Sequence, residues 1–317
     1  MKLKIKKKGK TSNQRLVSSQ SKIGVTMKKY KTRKVYKQSG GNIDYEFKTP
    51  GPEQCHPSVG SVRPHEGCLP VDILKEVAPK LEIDPNTKEL RSAIEKKLDV
   101  KPKHELSFVK AIPFDEIRKK ELIKKYLRPP MPEDWKSDND KWLNSNDITY
   151  VMEQYEEAFP NFEFMGPYPI DFAAPDPYKK NGSCLIDEVC ELRVQKSIEQ
   201  GTESIGIVYN LDPHYKGGSH WVAVFIDLKH HKTYYFDSYA IEPPKQIATF
   251  MKWLTTQDKK MKLFYNGNRF QKQNSECGMY SMYFILRMLA GDDFQAFSRT
   301  KPPDSFMLDL RDWIFST

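Results

Sequence analysis

Residues 277–290, CGMYSMYFILRMLA, are apolar on every side of a helix, and Gly291 follows as the expected stop at the C′ position. A helix with no polar face must be buried, so other elements have to surround it. A second segment, SHWVAVFIDL (219–228), is apolar at both strand parities, which predicts a strand in the middle of a sheet. Together they predict a mixed α+β domain.

Other periodicities fill that domain in. NSNDITYVMEQYEEAF reads as a helix capped by Asn144 or Ser145, with Ile148, Val151, Met152 and Tyr155 inward. ESIGIVYNL, HKTYYFDSY and KMKLFYN read as strands, and LKHH joins the middle one to SHWVAVFIDL as a hairpin, with His230 and His231 exposed in its turn. PPKQIATFMKWLTTQ and PDSFMLDLRDWIF read as helices. Upstream, PVDILKEVAPKLEI aligns Val71, Leu74, Val77 and Leu81, and TKELRSAIEKKLDV aligns Leu90, Ile94 and Leu98. ELSFVKAIPFDEIRKKELIKKYL adds one or two helices broken near Pro113. The predicted organisation is a basic disordered tail and Pro-rich linker over 1–66, a small helical domain over 67–135, and the α+β domain over 136–317.

Charge follows these divisions. The 317 residues carry a formal net charge of +9, yet residues 1–37 hold fourteen Lys and Arg and no acid, which leaves the rest at −5. A basic arm from Lys2 to Lys37 suggests DNA or another polyanion as a partner; a solvated arm is the plainer expectation. No stretch is apolar enough for a membrane span, and the Lys-rich N-terminus lacks the apolar core of a secretory signal. Five cysteines without tight spacing predict free thiols in a reducing compartment, with Cys184 and Cys190 in the core. The order C-H-x8-H-x2-C of Cys55, His56, His65 and Cys68 fits no common zinc pattern, so these are read as loop residues and neither metal nor cofactor is expected.

One cysteine is placed for chemistry. Cys277 stands at the start of the apolar helix, with Asn274 or Ser275 as caps. Unpaired N–H groups and the helix dipole favour a thiolate there, and Gly278 allows a substrate backbone to approach. His220 opens one strand of the hairpin and Asp237 closes the other, so pairing through the 228–230 turn sets them side by side. A thiol, an imidazole and an orienting carboxylate are the parts of an activated nucleophile. The Cys277 N–H and the Gln271 side-chain amide can donate to an oxyanion.

SHW, YYFDS and QKQNSECG, in the order His–Asp–Gln–Cys, resemble the Ulp-type and adenain-like cysteine peptidases, and KWLNSNDITYVMEQY is similar to that family's Trp-Leu-Asn opening. Within the family the likeness is nearest to a viral core-polyprotein protease that also carries an N-terminal helical domain. The resemblance spans about residues 140–317. It implies a central mixed sheet flanked by helices, a buried nucleophile helix, and catalysis by His220, Asp237, Cys277 and Gln271. It also implies cleavage after Gly-Gly through a tunnel roofed by Trp142 and Trp221. The substrate implied is a virion structural polyprotein, processed during maturation in the virion and the host cytoplasm (the viral factory). Some viral relatives have an amide where this chain has Asp237, as SUMO-specific proteases do. Two other readings are deconjugation of host ubiquitin-like proteins and a non-catalytic, DNA-binding virion protein. Gly40-Gly41 is a further candidate for self-cleavage.

Overall fold

A computed structural model describes residues 28–30, 53–59, 67–138, 140–179 and 182–317. The elements run β1 (Lys28–Tyr30), α1 (Val71–Val77), α2 (Leu90–Leu98), α3 (Glu105–Ala111), α4 (Glu116–Tyr126), α5 (Ser145–Ala158), β2 (Phe162–Pro169), α6 (Asp187–Cys190), α7 (Val194–Glu199), β3 (Ser204–Asn210), β4 (Trp221–Asp227), β5 (Lys232–Phe236), α8 (Lys245–Gln257), β6 (Lys262–Asn266), α9 (Cys277–Leu289), α10 (Phe294–Phe297) and α11 (Asp304–Ile314).

The strands form one sheet in the order β1-β6-β5-β4-β3-β2. β3, β4 and β5 are antiparallel neighbours, whereas β2 joins β3, β6 joins β5 and β1 joins β6 in parallel. The two parities of β4 divide between the faces. Trp221, Ala223 and Phe225 enter the core that holds α5, α9 and α11, and Val222, Val224 and Ile226 enter the core that holds α8. This is the sheet buried on both faces that the sequence of β4 demanded.

Helix α9 is apolar all round because it is enclosed: nearly every residue from Cys277 to Met288 is buried. Gly206 on β3 lets it come close, since a Cβ there would sit 2.9 Å from Ile285 Cγ2 and 3.0 Å from the Phe162 ring. Gly291, at φ +89°, ends the helix as expected. Helix α5 starts from a capping box in which the Asn144 side chain accepts from Asp147 N and the Asp147 carboxylate accepts from Asn144 N. Its four expected inward residues are all buried.

Helices α1 to α4 share a separate core containing Leu74, Ile94, Phe108 and Leu122. Val71, expected inward, is partly exposed, and Ile73 takes the buried place, because α1 ends at Val77 and a 3-10 turn (Ala78–Leu81) changes the periodicity.

Three expectations are corrected. Residues 53–59 are not an extended linker: Gln54 N donates to Trp313 O, Arg128 N donates to Gln54 O, and Cys55 is bonded to Cys68. The cysteines are not all free, since Cys184 is also bonded to Cys190 and only Cys277 remains a thiol. The fold brings each pair within 7 Å at Cα, a proximity that spacings of 13 and 6 residues do not announce. Lys28–Tyr30, inside the expected disordered tail, pair with β6 and form the edge of the sheet. The remainder of the basic tail, Gly40-Gly41 and His65 lie outside the described residues. No helix among the described residues is long and apolar enough to cross a membrane, and no metal-ligating group forms among them.

Candidate active site

The hairpin β4–β5 aligns Ala223 with Phe236, and the pairing ends there. His220 precedes one strand and Asp237 follows the other, so both lie at the same end of the sheet. Helix α9, packed across β4, delivers Cys277 to that end.

His220 Nε2 is 2.7 Å from Asp237 Oδ1, and Cys277 lies near enough to the ring to shift its pKa. With Nε2 committed to the carboxylate, Nδ1 is the nitrogen left for sulfur. Burial alone pulls the His220 pKa down. The hydrogen bond to Asp237 and the nearness of Cys277 outweigh it and raise the pKa to about 9. The site thus favours the protonated form of the ring. The Tyr239 ring stacks on the imidazole at a centroid distance of 4.8 Å, and Tyr239 OH donates to Gln273 O. This phenol bridges the segment after Asp237 to the loop before Cys277.

Asp237 has no exposed surface. Its Oδ1 accepts from Tyr239 N and its Oδ2 from Ile241 N, while Ala240, at φ +62°, closes the turn by donating from N to Asp237 O. Asn266, at the end of β6, clamps the backbone of Asp237: its Oδ1 accepts from Asp237 N and its Nδ2 donates to Asp237 O. The carboxylate therefore cannot swing away from the imidazole without breaking a set of buried hydrogen bonds.

Cys277 is buried and begins α9. The expected caps Asn274 and Ser275 do not serve. Glu276 holds the cap position, and its side chain makes no cap hydrogen bond because it turns to Arg311 instead. The N–H groups of the first turn are left without a side-chain cap, beside the sulfur. The loop before the helix is held by Asp304, whose carboxylate accepts from Lys272 N, Gln273 N and Tyr280 OH.

Gln271 is fully buried, and its Oε1 accepts from Ser238 Oγ at 2.6 Å. Its Nε2 is a buried donor with no partner. An unused donor in a dry site is costly unless something else comes to occupy it.

Trp221 is buried and donates from Nε1 to Leu143 O, while Trp142 is 46% exposed beside it in sequence. A Cβ on Gly278 would lie 3.2 Å from both Leu143 Cβ and Trp221 Cδ1. The close approach that Gly278 permits is therefore that of Leu143 and Trp221 to the start of α9. Trp221 thereby walls the start of α9 beside Cys277, whereas Trp142, next to Leu143 in sequence, is exposed.

Sequence reasoning missed Ser238, Tyr239 and Asn266. Ser238 and Tyr239 adjoin Asp237, which was a signal within reach. Asn266 gave none, because β6 is placed beside β5 by a crossover through α8. His230 is exposed and pairs with Asp227, whereas His231, expected exposed, is half-buried and pairs with Asp258.

Residues 210–311 match the Ulp1 protease family, C-terminal catalytic domain. A thiol protease of Acanthamoeba polyphaga mimivirus is 39% identical over 168 residues, covering 50% of this chain and 51% of that protein. A SUMO-1 cysteine protease of African swine fever virus is 28% identical over 127 residues, covering 38% of this chain and 46% of that protein. The chain thus spans about half the length of these curated relatives. The crystal structure of the African swine fever virus pS273R protease aligns with a TM-score of 0.55 over 85% of this chain and 97% of that one, at 20% identity, a likeness of fold. Residues 210–311 are thus similar to the catalytic domain of the Ulp1 protease family, the family that the motifs resemble, and the fold is like that of a viral protease.

Proposed function

We propose that this protein is a viral thiol endopeptidase that cleaves after Gly-Gly in virion structural polyproteins. His220, Asp237, Cys277 and Gln271 would do the chemistry. The observation that carries the reading is the line from the Cys277 thiol through the His220 imidazole to the buried Asp237, next to an unpartnered Gln271 amide.

The steps follow from those positions. His220 takes the thiol proton and the sulfur attacks the scissile carbonyl carbon. The Gln271 Nε2 and the Cys277 N–H hold the oxyanion as the tetrahedral intermediate forms. The intermediate collapses, the C–N bond breaks, and the imidazolium gives its proton to the leaving amine. Water, deprotonated by His220, then hydrolyses the thioester. Asp237 keeps the ring oriented and stabilises its cation throughout. Trp221, packed against Gly278 at the start of α9, and the exposed Trp142 would roof a site for P1 and P2 residues without side chains.

The viral origin of the thiol protease relative supports a virion substrate, and with it action in the virion and the host cytoplasm. A second reading, deconjugation of a host ubiquitin-like protein, is favoured by the African swine fever virus relative, a SUMO-1 cysteine protease. The basic tail would hold the enzyme on DNA or another polyanion in either case.

The test is Cys277→Ala against wild type on a panel of Gly-Gly-Xaa peptides and on a SUMO fusion. Cleavage by wild type alone, on the peptides, supports polyprotein processing. Cleavage of the fusion but not of the peptides moves the assignment to deconjugation. Equal cleavage by the variant removes the mechanism, and salt-sensitive DNA binding with no thiol-dependent cleavage leaves a non-catalytic virion protein.

A further inference from the structure

Ser238 is bound to Gln271 twice and to the preceding residue once. Its backbone carbonyl accepts from both Phe270 N and Gln271 N, at 2.8 and 3.0 Å. Its hydroxyl donates to Gln271 Oε1 at 2.6 Å. Both residues are buried, at 1% and 0% exposure. A primary amide has two ends, and only one of them can stabilise a negative oxygen. A neutral amide also turns end for end with little change of shape, so packing alone does not choose between them. The Ser238 hydroxyl occupies the acceptor end and thereby leaves Nε2 as the unpartnered donor.

We infer that Ser238 is a positioning residue for the oxyanion donor: its hydroxyl selects the orientation of the Gln271 amide, so that the dipeptide Asp237-Ser238 sets the imidazole through one residue and the amide through the next. Asp237 faces His220 and Ser238 faces Gln271 from adjacent places on one turn. The strand end that closes β5 thereby fixes the spatial relation between the base and the oxyanion site. Without the hydroxyl, Oε1 is buried without a donor, and the amide is free to turn its oxygen toward the developing charge. Attack by sulfur itself needs no amide, so the loss falls on formation of the tetrahedral intermediate and not on thiol reactivity.

This inference rests on the Gln271 role proposed above, and the experiment separates the two. The kinetics of an acyl-Gly-Gly aminocoumarin amide are measured for wild type, Ser238→Ala, Gln271→Ala and the double variant, with Ser238→Thr as the variant that keeps a hydroxyl. Alkylation of Cys277 by iodoacetamide is measured alongside. Gln271→Ala is expected to lose roughly 10²–10³ in kcat, as removal of one oxyanion donor does. Ser238→Ala is expected to lose roughly 5–30-fold in kcat, the factor of one lost buried hydrogen bond, with KM little changed. Its alkylation rate should equal that of wild type, and Ser238→Ala should cost nothing further in the Gln271→Ala background. Ser238→Thr should retain more kcat than Ser238→Ala. An equal loss of kcat in both backgrounds, a matching loss of alkylation, or a Ser238→Ala variant with wild-type kcat overturns the inference. If Gln271→Ala itself keeps full activity, the oxyanion role fails and takes this inference with it, whereas a damaged Gln271→Ala beside an intact Ser238→Ala sinks this inference alone.

Discussion

Two constraints meet at His220: Nε2 is 2.7 Å from a carboxylate with no exposed surface, and the other face of the site is a thiol. Burial opposes a charged ring, and the two partners more than reverse it. The folded chain therefore holds the His220 proton up to about pH 9, while an unfolded chain releases it near 6.5. Stability from this pairing is present in full below about 6.5 and is lost as pH rises through about 9. Asp237→Asn should lower the His220 pKa and reduce activity by about 10²–10⁴-fold. The gap in urea stability between wild type and Asp237→Asn should be widest below about pH 6.5 and narrow toward pH 9. A gap that stays constant over that range denies the ion pair. At this scale the hairpin made Asp237 legible, because a local turn fixes which residues lie opposite one another. The same turn placed Ser238 and Tyr239 in reach, but which way each side chain points depends on the tight turn closed by Ala240. Asn266 reaches Asp237 only through the parallel register of β5 with β6, which no local signal sets.

Among the elements, α9 and the strands under it were the most legible, because their apolar patterns leave no alternative to burial. β2 was not read, since FEFMGPYP carries a Gly-Pro pair and its partner β3 lies across a long connection. Gly206 was equally silent, yet it sets how closely α9 lies on the sheet. A methyl there would meet Ile285 Cγ2 at 2.9 Å and the Phe162 ring at 3.0 Å. Ile285 is β-branched and stiff, and both neighbours are buried, so the helix or the strand has to move. Gly206→Ala is expected to cost about 1–3 kcal/mol in chemical denaturation, as overpacking does. Because α9 carries Cys277, activity should fall as well under conditions where the variant remains folded. An Ala variant as stable and active as wild type shows that the helix has room to spare. A complementary loss is expected deeper in the same layer. Phe284 stacks on Phe236 with ring centroids 5.0 Å apart, and Phe284→Ala should cost about 3–5 kcal/mol by leaving a cavity.

Over the whole molecule, the far end of the chain returns to support the site. Arg311 on α11 donates from Nη2 to Glu276 Oε1 at 2.6 Å and to Lys141 O at 2.8 Å, and its guanidinium lies over the Trp135 ring. One buried cation thus joins α11, the residue before the nucleophile and the residue before Trp142. Just beyond it, Trp313 O accepts from Gln54 N, and Thr317 O accepts from Leu106 N and Ser107 N, so the same helix leads into the contact with the helical unit. Neither the pair nor the docking was legible, because 35 residues separate Arg311 from Glu276 and 263 separate Thr317 from Gln54. Burial raises the pKa of Glu276, and Arg311 holds it back. Replacing Arg311 by Leu removes the cation and leaves a buried carboxylate uncompensated at the cap position of α9. That should cost about 3–5 kcal/mol near neutral pH. Without Arg311 the carboxyl should rise further above its ordinary value, so the folded state takes up a proton that the unfolded chain holds less tightly. Stability of Arg311→Leu relative to wild type should then improve as pH falls toward the carboxylate range, in the direction opposite to an intact ion pair. Glu276→Gln/Arg311→Leu, which removes both charges, should recover much of the loss at neutral pH. A single variant whose deficit is independent of pH, or a double variant no better than the single, places the contribution of Arg311 in its packing on Trp135 and not in its charge.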